Sequence, residues 1–264
     1  MTANLAALVR ALDGHEALAI AVSGGVDSMT LAHVAQRLSR TRVTIVHACG
    51  PAVPAAARAR VEAHAAAHGW DLRLLDAGEL ADPRYRANPV DRCYYCKTNL
   101  YERIRAATRD PIASGTNLDD LDDYRPGLKA AREHGVVHPY VEAGIDKAAV
   151  YAIAASLGLA DLERLPAQPC LASRVETGIA IAADDLAFID AVESQLALAL
   201  GAAATLRCRV THDGVVIELD PAGEERAAVA RAVAAKACES RGRRFAGVRP
   251  YRRGSAFLLA AADD

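Results

Sequence analysis

ALAIAVSGGVDS, residues 17–28, is the stretch whose reading decides the fold. The first half, residues 17–22, is an unbroken apolar run of strand length. SGGVDS, Ser23 to Ser28, closes it and opens a helical pattern carrying Leu31, Val34, Ala35 and Leu38. A strand that turns through paired glycines into a helix presents backbone N–H groups and the positive end of the helix dipole to an anion. Ser23 and Ser28 add hydroxyls. Asp27 is the odd member, because a carboxylate beside phosphates must either orient the loop or meet a magnesium ion. Neither GxxxxGK[ST] nor GxGxxG occurs in the chain, so two common phosphate and dinucleotide cradles are set aside. The plain alternative, a Gly-Gly turn with a Ser/Asp cap, loses to the strand–loop–helix context.

Outward from this motif, strand-like runs recur at residues 43–48, 71–76, 111–114 and 136–140. Helical patterns alternate with them at 28–39, 54–68, 97–108, 127–134 and 146–157. Such alternation predicts an α/β fold: a parallel sheet with helices on both faces and ligands at the C-terminal strand ends. GTNLDDLDD, residues 115–123, follows the fourth run and lies at such an end. The pattern changes at LPAQP, residues 165–169. Beyond it come a helix at 184–200, a hairpin at 206–220, a helix at 221–239 and an extended run at 245–257. This division predicts a first domain over residues 1–165 and a smaller α+β domain over 166–264.

A chain of 264 residues that is 52% hydrophobic can bury a sizeable core, and its net charge of −2 argues against a general nucleic-acid-binding surface. No apolar run approaches membrane-spanning length and the first residues lack a signal-peptide pattern, so a cytoplasmic location is the expectation. In that reducing compartment the six cysteines are not a disulfide framework. Cys93 and Cys96 form RCYYCK just before an amphipathic pattern bearing Leu100, Ile104 and Ala107, and Cys170 lies in the distant PCLASR. Three readings of these thiols stand side by side. They are a redox pair, a structural zinc site in want of a fourth ligand, or three ligands of an iron–sulfur cluster whose fourth iron stays open. Cys49, Cys208 and Cys238 read as small core residues.

In the second domain, Glu193 falls on the apolar face of the 184–200 helix with Leu186, Ile189, Leu196 and Leu200, and so needs a partner. Asp213-Gly214 suits a two-residue hairpin turn. That register pairs Arg209 with Glu218 and Arg207 with Asp220. On pattern alone this is a solvated face with cross-strand ion pairs. The functional alternative is an anion site of two guanidiniums, with Glu193 and Glu218 available to a metal.

SGGVDS, NPVDRCYYCK, GTNLDDLDDYRPGLKAAREHGVVHPY, PCLASR and the closing YRRGS resemble, in order, the motifs of the LarE family of ATP-dependent sulfur transferases in the PP-loop ATP pyrophosphatase superfamily. SGGVDS alone marks only the superfamily; CYYCK, DYRPG and PCLASR together are far more specific. The resemblance implies that ATP, with Mg2+, adenylates a carboxylate of pyridinium-3,5-biscarboxylic acid mononucleotide. A sulfur nucleophile then displaces AMP to give the thiocarboxylate used in the nickel-pincer cofactor of lactate racemase. It also implies roles. Ser23, Gly24, Gly25, Asp27 and Ser28 cradle the ATP phosphates; Gly115, Thr116, Asn117, Asp120 and Asp123 lie toward adenosine and Mg2+. Arg125 orients that loop, touches phosphate, or pairs with Asp122 or Asp123. Ser173, Arg174, Arg207, Arg209, Glu193 and Glu218 belong to the substrate side, with Arg174 and Asp27 catalytic beside Cys170. Arg253 and Ser255 are weaker candidates. Three cysteines match the family type in which Cys93, Cys96 and Cys170 hold a [4Fe-4S] cluster fed by a sulfide source. The second type instead gives up the sulfur of its single cysteine, matching Cys170, and is left with dehydroalanine. A homo-oligomer is the expected assembly. Two rival PP-loop functions remain: an amidating ligase, which lacks a glutaminase domain here, and a tRNA-thiolating enzyme, which lacks a basic surface.

Overall fold

The run ALAIAV is an interior strand, and the sheet is built outward from it. The computed structural model describes residues 2–121, 125–201, 205–220, 223–252 and 254, so Asp122, Asp123, Arg253 and Ser255 lie outside the described residues. In chain order the elements are α1 (Ala3–Asp13), β1 (Ala17–Val22), α2 (Val26–Leu38), β2 (Arg42–Ala48), α3 (Ala55–His68), β3 (Leu72–Leu75), α4 (Pro83–Arg86), α5 (Arg92–Ala107), β4 (Ile112–Ser114), α6 (Pro126–Glu133), α7 (Pro139–Glu142) and α8 (Lys147–Ser156). Then follow α9 (Ala183–Leu200), β5 (Thr205–Thr211), β6 (Gly214–Asp220), α10 (Glu224–Ser240) and β7 (Phe245–Pro250).

The chain divides into two units. The first comprises Met1–Glu79 and Cys93–Gln168, the second Leu80–Arg92 and Pro169–Asp264. In the first unit the strands are parallel in the order β3-β2-β1-β4. The expected α/β fold, a parallel sheet covered on both faces with a smaller α+β unit, is what the chain adopts. Alternate β1 residues serve opposite faces. Leu18, Ile20 and Val22 pack with Leu8 of α1, Met29 of α2 and Ile153 of α8. Ala19 joins Tyr101 and Ile104 of α5 and Ala130 of α6. Burial on both faces explains why β1 reads as continuously apolar rather than alternating. The order reverses at β1: β2 and β3 extend to one side, and β4 returns on the other. The C-terminal strand ends at such a reversal, here those of β1 and β4, are where α/β sheets bind their ligands.

Two expectations need correction here. Residues 136–140 are not a fifth strand. Val137 makes one bridge to Ala113, and Pro139 then starts α7; proline has no N–H for a ladder but suits a first helical position. RCYYCK does not precede its helix but forms the beginning of it, since α5 starts at Arg92. Nothing between Arg92 and Lys97 breaks a helix, whereas Asn88, at φ 54°, punctuates the chain just upstream.

In the second unit β5 and β6 are antiparallel and β7 adds to β6 in parallel, with α9 and α10 packed on the sheet. Residues 80–92, which the sequence division placed in the first domain, belong to this unit. The Asn88 side-chain amide donates to the Glu176 and Ile179 carbonyls, each at 2.9 Å, and Ile181 N–H donates to Arg86 O at 2.8 Å. The hairpin register also differs from expectation. Thr211 pairs with Gly214 across a His212-Asp213 turn, so Arg207 opposes Glu218 and Arg209 opposes Val216. Gly214 serves a close approach instead of a turn: at φ 120°, a Cβ there would lie 2.6 Å from Arg244 O.

Candidate active site

In the first unit the serines of SGGVDS shape the loop. Ser23 N–H donates to Ser28 Oγ at 3.1 Å, Gly25 N–H donates to Ser23 Oγ at 3.4 Å, and Ser28 Oγ–H donates to Gly25 O at 3.3 Å. Gly25 caps α2 without a side-chain hydrogen bond, so the first helical amides meet no competing side chain from the cap position. Gly24 has φ 82°, and a Cβ there would lie 2.6 Å from Ala57 O. Arg60 of α3 donates to Gly24 O at 2.8 Å and pins the turn. These contacts fix the turn ahead of α2, and a helix start of this kind is where anions commonly bind.

Asp27 is the hub. Its carboxylate receives Lys147 Nζ at 2.7 and 2.6 Å and Asn117 Nδ2 at 3.1 Å, while Tyr140 OH donates to its backbone carbonyl at 3.0 Å. Burial, then the Asp27 charge, pushes the Tyr140 hydroxyl well above its ordinary value, which keeps it a donor. Asn117 also donates its N–H to Asp120 at 3.2 Å, and Asp120 pairs with Arg125 at 2.8 Å. Thr116 Oγ1 lies 3.0 Å from Ser114 Oγ, which lies 2.9 Å from His138 Nδ1. The structure therefore brings Ser23, Gly24, Gly25, Asp27 and Ser28 together with Gly115, Thr116, Asn117 and Asp120. The two segments meet at Gly115, where a Cβ would stand 2.7 Å from Ser28 N and 2.9 Å from the Asp27 carbonyl carbon. Both obstacles are backbone, so Gly115→Ala must displace the loop. The expected result is a fall of about 10²-fold in kcat/KM for ATP, with circular dichroism unchanged; wild-type kinetics would show the approach to be unimportant.

Cys93 and Cys96 stand one turn apart on the same side of α5, both half-buried.

In the second unit the polar set is not solvated. Arg209 is 4% and Glu218 0% exposed, so the reading of a solvated face with surface ion pairs is overturned. Arg209 Nε meets Glu218 Oε2 at 2.9 Å, and Arg249 of β7 donates to Glu218 Oε1 at 3.0 and 2.9 Å. The sheet is covered here, and a carboxylate with no exposure requires its guanidiniums: removing one partner of such a pair costs about 3–5 kcal/mol. Arg174, itself 3% exposed, forms a bidentate pair with Glu193 at 3.0 and 2.9 Å. Glu193 Oε1 also accepts the Cys208 N–H at 2.9 Å, satisfying an outward amide of the edge strand β5. Both carboxylates thus act as counter-ions to arginines, which is how buried carboxylates are stabilised.

Arg174 also fixes the segment around Cys170. Its Nη1 donates to Pro169 O at 2.5 Å, to Cys170 O at 3.0 Å and to Ser173 Oγ at 3.0 Å, while Arg209 Nη1 donates to Ser173 O at 2.8 Å. Cys170 itself is half-buried at the head of a 3-10 turn, Leu171–Arg174. Arg207 lies with its guanidinium 5.7 Å from the Tyr251 ring. Burial, and then repulsion from Arg174, lowers its pKa. Arg174, Arg207, Arg209 and Arg249 thus gather on this unit, with Glu218 buried and Glu193 half-buried among them.

Over 222 residues the chain is 32% identical to the pyridinium-3,5-bisthiocarboxylic acid mononucleotide synthase of Lactiplantibacillus plantarum, covering 82% of this chain and 79% of that one. The chain belongs to the LarE family. An uncharacterised protein of Synechocystis sp. is 37% identical over 181 residues, 67% of either chain. Another, from Methanocaldococcus jannaschii, is 27% identical over 181 residues, 67% of this chain and 68% of that one. No protein-family model matches the chain.

This LarE-family chain carries several site neighbours to which the sequence reading gave no role: Lys147 and Tyr140 at Asp27, Arg60 at Gly24, His138 at Ser114, Arg249 at Glu218, and Asn88 at the Glu176 and Ile179 carbonyls. Lys147 had a signal. A lysine in the first turn of a helix opposes the helix dipole unless a carboxylate faces it. The others had none, because each contact joins segments distant in sequence.

Proposed function

We propose that this LarE-family chain is an ATP-dependent sulfur transferase that converts the carboxylates of pyridinium-3,5-biscarboxylic acid mononucleotide to thiocarboxylates. The similarity to the Lactiplantibacillus plantarum synthase across most of both chains carries the reading, and the uncapped α2 N-terminus at the sheet's reversal point supports it. A substrate carboxylate oxygen attacks the α-phosphorus of ATP, the bond to the β-phosphate oxygen breaks, and pyrophosphate leaves with Mg2+. A sulfur nucleophile then attacks the acyl carbon and AMP departs. Activation is required because a carboxylate has no good leaving group.

The chain's own residues bind and orient. Amides of the α2 N-terminus and the Gly24-Gly25 turn hold phosphate. Asp27 keeps Lys147 and Asn117 in place beside them. The arginine face of the second unit receives the anionic pyridinium nucleotide, with Arg207 as its contact. Arg174 positions Cys170 through its carbonyl bonds. Cys93 and Cys96, two half-buried thiols on one helix face, fit the donor chemistry of a [4Fe-4S] cluster with Cys170 as third ligand. When bound, such a cluster supplies an open iron that carries the transferred sulfide.

The test is turnover of anaerobically purified protein with ATP, Mg2+, sulfide and the biscarboxylate, reading pyrophosphate and the thiocarboxylate mass. Pyrophosphate without thiocarboxylate, in protein containing iron and sulfide, would overturn the sulfur-transfer reading. Cys93→Ala is expected to lose visible cluster absorption yet retain pyrophosphate release. Iron-free protein that turns over once and loses the mass of hydrogen sulfide would assign the donor to Cys170 itself. Arg207→Ala is expected to raise KM for the biscarboxylate by about tenfold, roughly 1.4 kcal/mol of charge-assisted binding, and to leave KM for ATP unchanged. Equal rises in both would remove Arg207 from the substrate side.

A further inference from the structure

Three histidines converge in the first unit, none of them assigned a role above. His33 projects from α2, and His64 and His68 stand one turn apart on α3. His33 Nε2 lies 2.7 Å from His64 Nδ1, and His64 Nε2 lies 2.8 Å from Asp161 Oδ2. One nitrogen from each ring lies within 4.8 Å of the other two. His33 has no exposed surface and its Nδ1 makes no hydrogen bond among the described residues, while His68 is exposed.

An ionised carboxylate only accepts, so Asp161 fixes the proton of His64 on Nε2 and leaves the Nδ1 lone pair directed at His33. Stabilising that lone pair with a proton from His33 leaves a buried imidazole nitrogen unsatisfied. A metal ion offers the other arrangement, in which His64 Nδ1, His33 Nε2 and one nitrogen of His68 all present lone pairs to it; His33 Nδ1 has no partner in either case. A ligating histidine whose other nitrogen donates to a carboxylate is the usual support for such an ion. Burial, and then the nearby His64 and His68, pushes the pKa of His33 down to about 3, so its ring stays neutral. Two nitrogens on one tetrahedral zinc stand about 3.3 Å apart, so His33 and His64 need separate by only about half an ångström. Imidazoles favour zinc, cobalt, nickel and copper over magnesium or calcium.

We infer that His33, His64 and His68 bind a divalent transition-metal ion of the zinc class, with Asp161 orienting His64 and a fourth position open to water. Such an ion joins α2 to α3. His64 follows by one turn Arg60, whose guanidinium holds Gly24 O at 2.8 Å, so the ion would brace the loop from its flank.

Trp70, the single tryptophan of the chain, reports on the site because its ring centroid lies 4.8 Å from His33. The experiment is titration of the tag-free, chelator-treated full chain with Co2+, following Trp70 fluorescence and cobalt absorption. The expected result is quenching that saturates at one equivalent, with d–d bands, no thiolate-to-cobalt charge transfer in step with the quenching, and reversal by Zn2+. His68→Ala and Asp161→Asn, both at exposed positions, are expected to weaken binding by about 10–100-fold with circular dichroism unchanged, whereas Cys93→Ser with Cys96→Ser leaves the quenching intact. Fluorescence that does not respond to Co2+, a response that survives His68→Ala, or one that disappears with the cysteines would overturn the site.

Discussion

Asp27→Ala is expected to reduce pyrophosphate release by at least about 10²–10³-fold, the usual loss when one preorganised group of a charge-stabilising site is removed. The reason lies in its neighbours. Lys147 Nζ stands 2.7 and 2.6 Å from its two oxygens and Asn117 Nδ2 at 3.1 Å. Without the carboxylate the ammonium loses its counter-ion beside the phosphate loop, and Asn117 loses the bond tying the β4 loop to α2. ATP affinity should change far less than turnover, because the α2 amides remain and a released ammonium still attracts phosphate. The measurement is pyrophosphate release against ATP concentration for wild type, Asp27→Ala and Asp27→Asn. Wild-type turnover in Asp27→Ala would reduce Asp27 to a surface ion pair.

Cys170→Ala is expected to lower thiocarboxylate formation by at least about 10³-fold, as for loss of an essential reacting group, and to leave carboxylate-dependent pyrophosphate release intact. The fold should tolerate the change. The bonds that hold this segment, from Arg174 Nη1 and from Ser173 N–H at 3.0 Å each, end on the Cys170 carbonyl rather than its thiol. The loss is expected whether Cys170 ligates the sulfide carrier or donates its own sulfur, so intact protein mass after one wild-type turnover separates the two. Thiocarboxylate from Cys170→Ala at the wild-type rate would remove this cysteine from the reaction.

The legible part of the fold was the part written in local pattern. β1 and the SGGVDS turn follow from an apolar run, two glycines and a helical repeat, and the helix limits fall within a few residues of expectation. The fifth strand failed because Val136–Val137 carries strand character, while Pro139 redirects the chain two residues later. The hairpin failed by two positions because Asp213-Gly214 satisfies a turn rule locally. Gly214 is in fact required where Arg244 O approaches to within 2.6 Å of a Cβ position, and no local pattern reports on that neighbour. An even shift keeps each side chain on its face, so the arginines were assigned to the correct side, and Arg209 still reaches Glu218 although its strand partner is Val216.

By itself the sequence determined the α/β class, the glycine turn between β1 and α2, the order of the motifs and the residue types of the site, because periodicity, turn chemistry and spacing act within a few residues. Tertiary structure decided what those residues touch. It alone set Lys147 against Asp27, buried Glu218 between Arg209 and Arg249, closed Arg174 onto Glu193 and the Cys170 carbonyl, and brought His33 to His64. Apart from the Arg174–Cys170 contact, which spans four residues, these pairs unite segments that folding brings together, and the buried ones gain strength from exclusion of water, which no single stretch of sequence can specify.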